Sequence, residues 1–187
     1  MNRCFIALCL LFSYSHKSIA ANEDWYFMAA LGSADIDNKT SASEDTDYPS
    51  SLNYMSDLAF SMDIAGIYFP VEESGLLWGG AIHSDTQLNN SIGALNGLYG
   101  ISTMYFPSQK HGSGIFFRGD AGIARNIIIR DSGNDLNEKT GVGALLGLGY
   151  GIPVSSESRV LFSINHSNSR VRDGNFSSTS IMIGGLW

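Results

Sequence analysis

Charge is scarce in this chain. Only 16% of its 187 residues are Asp, Glu, Lys or Arg, against roughly a quarter in an average soluble domain. The basic side is the poorer one: 11 Lys and Arg face 18 Asp and Glu, for a formal net charge of -7. A chain without basic clusters is a poor candidate for binding nucleic acid, which is held by neutralising phosphates. Proline is rare, at 4 residues, which argues against a flexible low-complexity chain. No apolar run approaches the roughly 20 residues of a membrane-spanning helix. A helical membrane protein is thereby excluded, though a strand-built one is not. Cysteine is limited to Cys4 and Cys9.

Both cysteines fall in a segment with the features of a secretory leader. Arg3 gives a positive start, Phe5 to Phe12 forms a short apolar core, and Ser18-Ile19-Ala20 supplies small residues at the positions a signal peptidase reads. The expected organisation is therefore a signal peptide over 1–20 and one domain over 21–187. Removal of the leader takes Arg3, Lys17 and both cysteines with it and no acid. The domain would then be more acidic still and free of thiols, without disulfides, thiolate metal sites or cysteine nucleophiles.

What the rest of the chain has is alternation. Eight segments, at 24–36, 57–70, 76–86, 92–106, 114–129, 140–153, 159–169 and 176–187, place apolar residues at every second position. That period of two is the strand signature. Segment 140–153 is the cleanest: Val142, Ala144, Leu146, Leu148, Tyr150 and Ile152 face one way. Gly141, Gly143, Leu145, Gly147, Gly149 and Gly151 face the other. In the second segment Leu58, Phe60, Met62, Ile64 and Tyr68 are expected on one face and Ala59, Ser61, Asp63 and Ala65 on the other. The bulky face is the apolar one, and Trp25, Tyr68, Trp78, Tyr105, Tyr150 and Trp187 lie near one class of strand end. An apolar band bordered by aromatic residues is the pattern of a transmembrane barrel. Strands in lipid must pair on both edges, so the sheet has to close. The expected fold is all-β: an eight-stranded antiparallel up-and-down transmembrane β-barrel.

The connections alternate too. Residues 70–75, 107–113 and 153–158 are short and each contains a proline; 37–56, 131–139 and 170–175 are more polar. Short turns inside and longer loops outside is the usual asymmetry, which puts both termini on the periplasmic side. The Trp25-Tyr26-Phe27 opening, the Gly147-Leu148-Gly149-Tyr150-Gly151-Ile152-Pro153 segment and the closing Ser180 to Trp187 run resemble the small eight-stranded outer-membrane barrels of Gram-negative bacteria, the OmpA/OmpX-like superfamily. The resemblance implies an outer-membrane, porin-like monomer in contact with lipid and lipopolysaccharide. It also implies that Ile181, Ile183 and Trp187 form the terminal signal read by the outer-membrane insertion machinery. Members usually end in Phe, so Trp187 is a departure.

By parity Asp63, His83, Asp85, Arg118 and Asp120 point into the lumen. An isolated charge in a low-dielectric space is costly, so these groups are expected to form a structural ion-pair network with Arg118 at its centre, bonded to Asp120 or Asp63. The sharper alternative is a narrow water or proton path. The inward glycines of 140–153 are expected to make room for large side chains such as Phe116, Arg118 and Met104. His166-Ser167-Asn168 invites comparison with outer-membrane lipid A deacylases, barrels with a His-x-Ser-Asn pattern on a late strand. Here His166 and Ser167 are adjacent and so face opposite sides of the strand, which excludes the hydrogen bond a serine nucleophile needs.

Loop one holds Asp35, Asp37, Glu44, Asp45, Asp47 and Asp57 against Lys39. It lacks the spaced ligands, turn glycine and closing glutamate of a calcium loop, so no metal site is expected. Arg125, Arg130, Arg170 and Arg172 are the candidates for lipopolysaccharide phosphate. The expected function is non-enzymatic, without catalytic residues or cofactor: a plugged barrel acting in membrane structure or surface contact through its loops. A narrow channel for small solutes or apolar molecules is the alternative, and a lipid A-modifying enzyme a distant one.

Overall fold

A computed structural model describes residues 25–40, 58–88, 92–130, 136–172 and 174–187, with the side chains of 38–40, 92, 129, 130, 136 and 137 left undescribed. The leader, the loop-one acids Glu44, Asp45, Asp47 and Asp57, and the Arg130 side chain lie outside that description.

Eight strands, and no helix among the described residues, follow one another in order: β1 (Tyr26–Thr40), β2 (Leu58–Pro70), β3 (Leu76–Leu88), β4 (Ile92–Tyr105), β5 (Gly114–Arg130), β6 (Leu136–Pro153), β7 (Arg159–Val171) and β8 (Gly174–Leu186). Each pairs antiparallel with the next, and β1 pairs with β8 from Met28↔Leu186 to Thr40↔Gly174, which closes the barrel. Closure leaves no edge, so every strand finds its hydrogen bonds inside the sheet. The start of β1, the end of β8 and the β2–β3, β4–β5 and β6–β7 turns share one end of the barrel, here the turn end; the opposite end is the loop end.

The turns are tight. Val71 N–H donates to the Leu76 carbonyl at 2.9 Å, and Val154 N–H to that of Ser158 at 2.9 Å. In the β4–β5 turn Gly112 has φ +72°, and a Cβ there would stand 2.6 Å from Cγ of Arg159. Both the backbone angle and the close approach call for glycine.

Parity holds on seven strands and is interrupted once. Between Asp63 and Ala65 β2 has one residue more than its neighbours, since Asp63 pairs with His83 but Ala65 with Ile82. This β-bulge at Ile64 switches the face on which later residues fall. Tyr68 is therefore fully buried in the lumen, while Ile67 and Phe69 face outward. The expectation that Tyr68 shares the face of Leu58 and belongs to the outer aromatic band is corrected accordingly. Phe69 takes that place, with its ring 5.8 Å from that of Trp78. Trp78, Tyr105, Phe117, Tyr150 and Phe162 are exposed around the turn end, and Phe27 stacks on Trp187 at 6.0 Å.

The strands also run further toward the loop end than the alternation suggests. Residues 136–139 belong to β6, with Glu138 opposite Ile127, and the 170–175 connection shrinks to a turn because Arg170 still pairs with Asn175. Along 137–140 of β6 and 166–170 of β7 both parities are polar, so the period of two fades from the sequence while backbone pairing continues.

Candidate functional site: the lumen

An eight-stranded barrel has an interior just wide enough for side chains to fill, and here they fill it in layers. At the turn end Met28, Tyr68, Leu77, Met104, Phe106, Phe116, Leu161 and Leu186 form one buried apolar cluster, with Tyr26 packed against it. Seven of the eight strands contribute from their turn-end positions, at the start of β1, β3, β5 and β7 and at the close of β2, β4 and β8, and Phe106 comes from the β4–β5 turn, so the cluster is a floor spanning the cross-section. The rings of Phe106 and Phe116 lie 5.4 Å apart. Gly149 makes the space: a Cβ there would meet Cζ of Phe116 at 2.3 Å. At the next inward position, Gly147, a Cβ would meet Oδ1 of Asn165 at 2.3 Å and Cβ of Arg118 at 3.2 Å. The β6 glycines thus accommodate groups on the two adjacent strands, Phe116 and Arg118 on β5 and Asn165 on β7.

Above the floor sits the charge. Arg118, buried on β5, presents two edges of its guanidinium to two carboxylates. Nη1 and Nη2 donate to Oδ2 and Oδ1 of Asp63 at 2.5 and 2.9 Å. Nε and Nη2 donate to Oδ2 of Asp120 at 3.0 and 2.6 Å. Sequence parity offered Asp63 or Asp120 as the partner; the fork geometry of arginine engages both. The layer continues on either side. Ser102 donates to Asp120 Oδ1 at 2.5 Å and lies 2.7 Å from the Tyr68 hydroxyl. Nδ1 of His83 lies 3.0 Å from Asp63 Oδ1, and its Nε2 lies 3.2 Å from Asp85 Oδ1. Ser61 donates to Asp85 Oδ1, and Ser167 and Ser178 donate to its Oδ2 at 2.9 and 2.6 Å.

All five lumen residues picked out by parity meet in this one network. The four serines and Tyr68 that complete it were not picked out. The serines carried the signal of small polar residues at the same parity as the acids; Tyr68 was hidden by the bulge. Nearer the loop end, Asn126 Nδ2 donates to Asn96 Oδ1 at 2.5 Å, and Ala124, Val171 and Phe176 pack as a second apolar cluster. Among the described residues the lumen thus carries an apolar floor, a charge layer above it and a small apolar cluster nearer the loop end.

This arrangement limits the chemistry. The serines of the network give their protons to carboxylates, and His83 has both nitrogens against carboxylates, so no Ser–His pair exists here to make a nucleophile. His166 faces outward, its Nδ1 3.1 Å from Thr179 Oγ1, while Ser167 faces inward onto Asp85. A proton relay along the chain from Tyr68 to Ser178 would have to cross Arg118, a fixed cation that opposes proton passage. No cluster of three or more metal-ligating side chains occurs among the described residues.

No protein-family model matches the chain, and no curated protein matches its sequence. Solved structures do match its shape. Neisserial surface protein A (NspA) aligns with a TM-score of 0.60 at 16% identity, over 87% of this chain and 95% of that one. The fold is that of the small outer-membrane barrels. Ail, the attachment invasion locus protein of Yersinia pestis, aligns with a TM-score of 0.52 at 9% identity, over 88% of this chain and 99% of that one. The outer wall of this barrel carries exposed apolar side chains, among them Ile101, Ile123, Val142, Leu146, Ile164 and Ile181.

Of the four arginines considered for phosphate, Arg125 is exposed on β5 but is held by Glu138, with Nε and Nη2 donating to the two carboxylate oxygens at 2.5 and 2.6 Å. Arg170 and Arg172 are exposed at the loop end of β7 and just beyond it. Arg130 ends β5, paired with Ile92.

Proposed function

We propose that the chain is a non-enzymatic integral protein of a Gram-negative outer membrane, with a closed lumen, acting in membrane structure and in surface contact through its loop-end connections. One observation carries this reading: among the described residues the lumen is crossed by an apolar floor, a hydrogen-bonded charge layer and an outer apolar cluster, which supports a closed, unreactive interior. The fold likeness to a neisserial surface protein and to an attachment protein supports a surface role. The leader-like segment over 1–20 supports export, and Ile181, Ile183 and Trp187 would be read by the insertion machinery. Lipopolysaccharide phosphate would meet Arg170 before Arg125, whose guanidinium is occupied by Glu138.

Planar-bilayer recording of the purified protein tests the closed lumen. Silence is expected, and discrete, stable conductance steps would establish the channel reading instead. Incubation with lipopolysaccharide, followed by analysis of released acyl chains, tests the absence of catalysis. Recovery of the protein in the inner-membrane or soluble fraction would refute the location.

A further inference from the structure

The apolar band is not uniform around the barrel. On β5 the outward positions from the turn end upward are Ile115, Phe117, Gly119, Ala121 and Ile123 before Arg125. On β6 they are Ile152, Tyr150, Leu148, Leu146, Ala144 and Val142 before Thr140. On β7 the apolar run stops at Ile164, and His166, Asn168 and Arg170 follow. On β8 it stops at Ile181, followed by Thr179, Ser177 and Asn175. On β1 it stops at Leu31, followed by Ser33, Asp35 and Asp37. These three strands are neighbours. Backbone register places His166 beside Thr179 and Thr179 beside Asp35, then Asn168 beside Ser177 and Ser177 beside Asp37. The result is one continuous polar strip on the outer wall, and all of its side chains named here are exposed except the half-buried Ser177. The strip lies at a height where Ile123 and Val142 still supply apolar surface on the other side. A tilted strand that crosses the hydrocarbon needs about 9–11 residues, so the strip falls within the lipid-facing zone, where polar groups require partners.

The strip is ordered by charge. The β7 column carries His166 and Arg170, the β8 column is neutral and small, and the β1 column carries Asp35 and Asp37, with Lys39 at its loop-end margin. Strand tilt makes the line of paired residues climb toward the loop end from β7 through β8 to β1, so Arg170 stands level with Asp37 and Asn168 with Asp35. A two-fold axis parallel to the barrel axis and passing beside β8 would bring the β7 column of one copy against the β1 column of the other. Arg170 of each copy would then meet Asp37 of the other at equal height, with Asn168 facing Asp35, and the Ser and Thr side chains of β8 would let the two walls approach closely. A phosphate-bearing lipid fits less well, because Asp35 and Asp37 would repel it.

We propose that this strip is the interface of a side-by-side, two-fold symmetric pair of barrels, in place of the monomer that the superfamily resemblance implies. The proposal rests on the chain being embedded in a membrane, which is read separately below.

Disulfide trapping in native outer membranes tests it. Full-length chain carrying Cys4→Ser and Cys9→Ser receives one new thiol, at Ser177→Cys or Thr179→Cys beside the axis, or at Ile123→Cys or Val142→Cys on the far wall. Each variant is scored for membrane insertion by its gel shift on boiling, then oxidised with copper phenanthroline and run without reductant. The β8 thiols are expected to give covalent dimers well above the level of the far-wall thiols. Arg170→Asp or Asp37→Arg should each reduce trapping through Ser177→Cys several-fold, and the two together should restore it. Inserted protein whose β8 thiols trap no better than those of the far wall, or whose trapping ignores the charge reversals, overturns the pair. Monomer that carries glycolipid bound to the strip also overturns it, in favour of a lipid site. Failure of the boiling shift in every variant would overturn the membrane reading itself.

Discussion

Arg118 is where the lumen is most sensitive to a single substitution. Replacing it with methionine keeps much of its volume, and so limits cavity effects, while removing every N–H that Asp63 and Asp120 accept from it. Asp63 is then left with His83 and Asp120 with Ser102. Removing one partner of a buried ion pair costs about 3–5 kcal/mol, because the surviving charge stays desolvated. With denaturant slopes of about 1–3 kcal/mol per molar urea, Arg118→Met should lower the urea midpoint by one to several molar. The assay is equilibrium unfolding in phospholipid vesicles, followed by tryptophan fluorescence and by the gel shift on boiling. Adding Asp63→Asn and Asp120→Asn removes the orphaned charges, so the triple variant should recover most of the loss. An Arg118→Met midpoint equal to that of the parent would refute the reasoning, since it would mean that water solvates the carboxylates in place of the guanidinium. The same variant should remain silent in bilayers, because the apolar floor beneath Arg118 is untouched. Conductance that appeared on this change alone would place the barrier to solutes in the charge layer.

Three further outcomes are expected. Tyr68→Phe removes the hydroxyl that meets Ser102 at 2.7 Å and keeps the ring in the floor; the loss should be about 1 kcal/mol, read from the same urea curves, and an effect as large as that of Arg118→Met would count against the layered picture. Gly149→Ala drives a methyl group to 2.3 Å from Phe116 Cζ and 2.4 Å from the Phe162 carbonyl oxygen, so it should destabilise by about 1–3 kcal/mol as overpacking does, whereas Gly80→Ala, whose Cβ would meet its nearest atom only at 3.6 Å, should be close to neutral. His111, in the β4–β5 turn, is held below the ordinary imidazole value by partial burial and the nearby Arg159 charge, against its bond to the Ser74 carbonyl; the fold favours the neutral ring, so its contribution is present above about pH 6.5 and fades as pH falls below it, and His111→Gln should flatten that part of the stability–pH curve.

The architecture was legible because a lipid-facing barrel wall writes its pattern twice, as bulky apolar residues on one parity and small or polar ones on the other. Ile123, Val142 and Leu146 lie outward and Arg118 and Leu145 inward as that pattern requires. Closure followed from the physics of backbone groups in lipid, not from any residue. What parity could not reveal was the point where it changes. Ile64 is an ordinary strand residue, and nothing in Asp63-Ile64-Ala65-Gly66 marks an inserted position; the bulge exists because β1 and β3 each have one residue fewer to pair. Tyr68 was misplaced for that reason, and with it the link between the floor and the charge layer. The floor itself left a trace that alternation obscures. At the turn-end tips apolar residues occupy both parities, as in Tyr26-Phe27-Met28, Leu76-Leu77-Trp78, Ile115-Phe116-Phe117 and Val160-Leu161-Phe162, because each trio both packs into the floor, through Tyr26 and Met28, Leu77, Phe116 and Leu161, and faces outward.

The converse pattern, polar residues on both parities, has two physical origins that look identical in a sequence. A segment such as His166-Ser167-Asn168-Ser169-Arg170 reads as a strand giving way to a loop, because water at the rim tolerates polar groups on either face. The register shows instead that this segment stays paired with β6 and β8 throughout, with Ser167 and Ser169 buried inside and His166, Asn168 and Arg170 outside. The inner members have a use, since Ser167 bonds Asp85. The outer members do not gain one from the barrel's own interior, and β6, immediately beside them, presents Leu146, Ala144 and Val142 at the paired positions. A rim effect would alter β6 and β7 together at equal height. On β3 the outward positions Ser84 and Thr86 are polar too, but they are buried and isolated between Met62 and Phe60 of β2 and Gly97 and Leu95 of β4. The exposed, continuous change on β7, β8 and β1 therefore belongs to the surface those three strands share, and the trapping experiment at Ser177 and Thr179 addresses that surface directly.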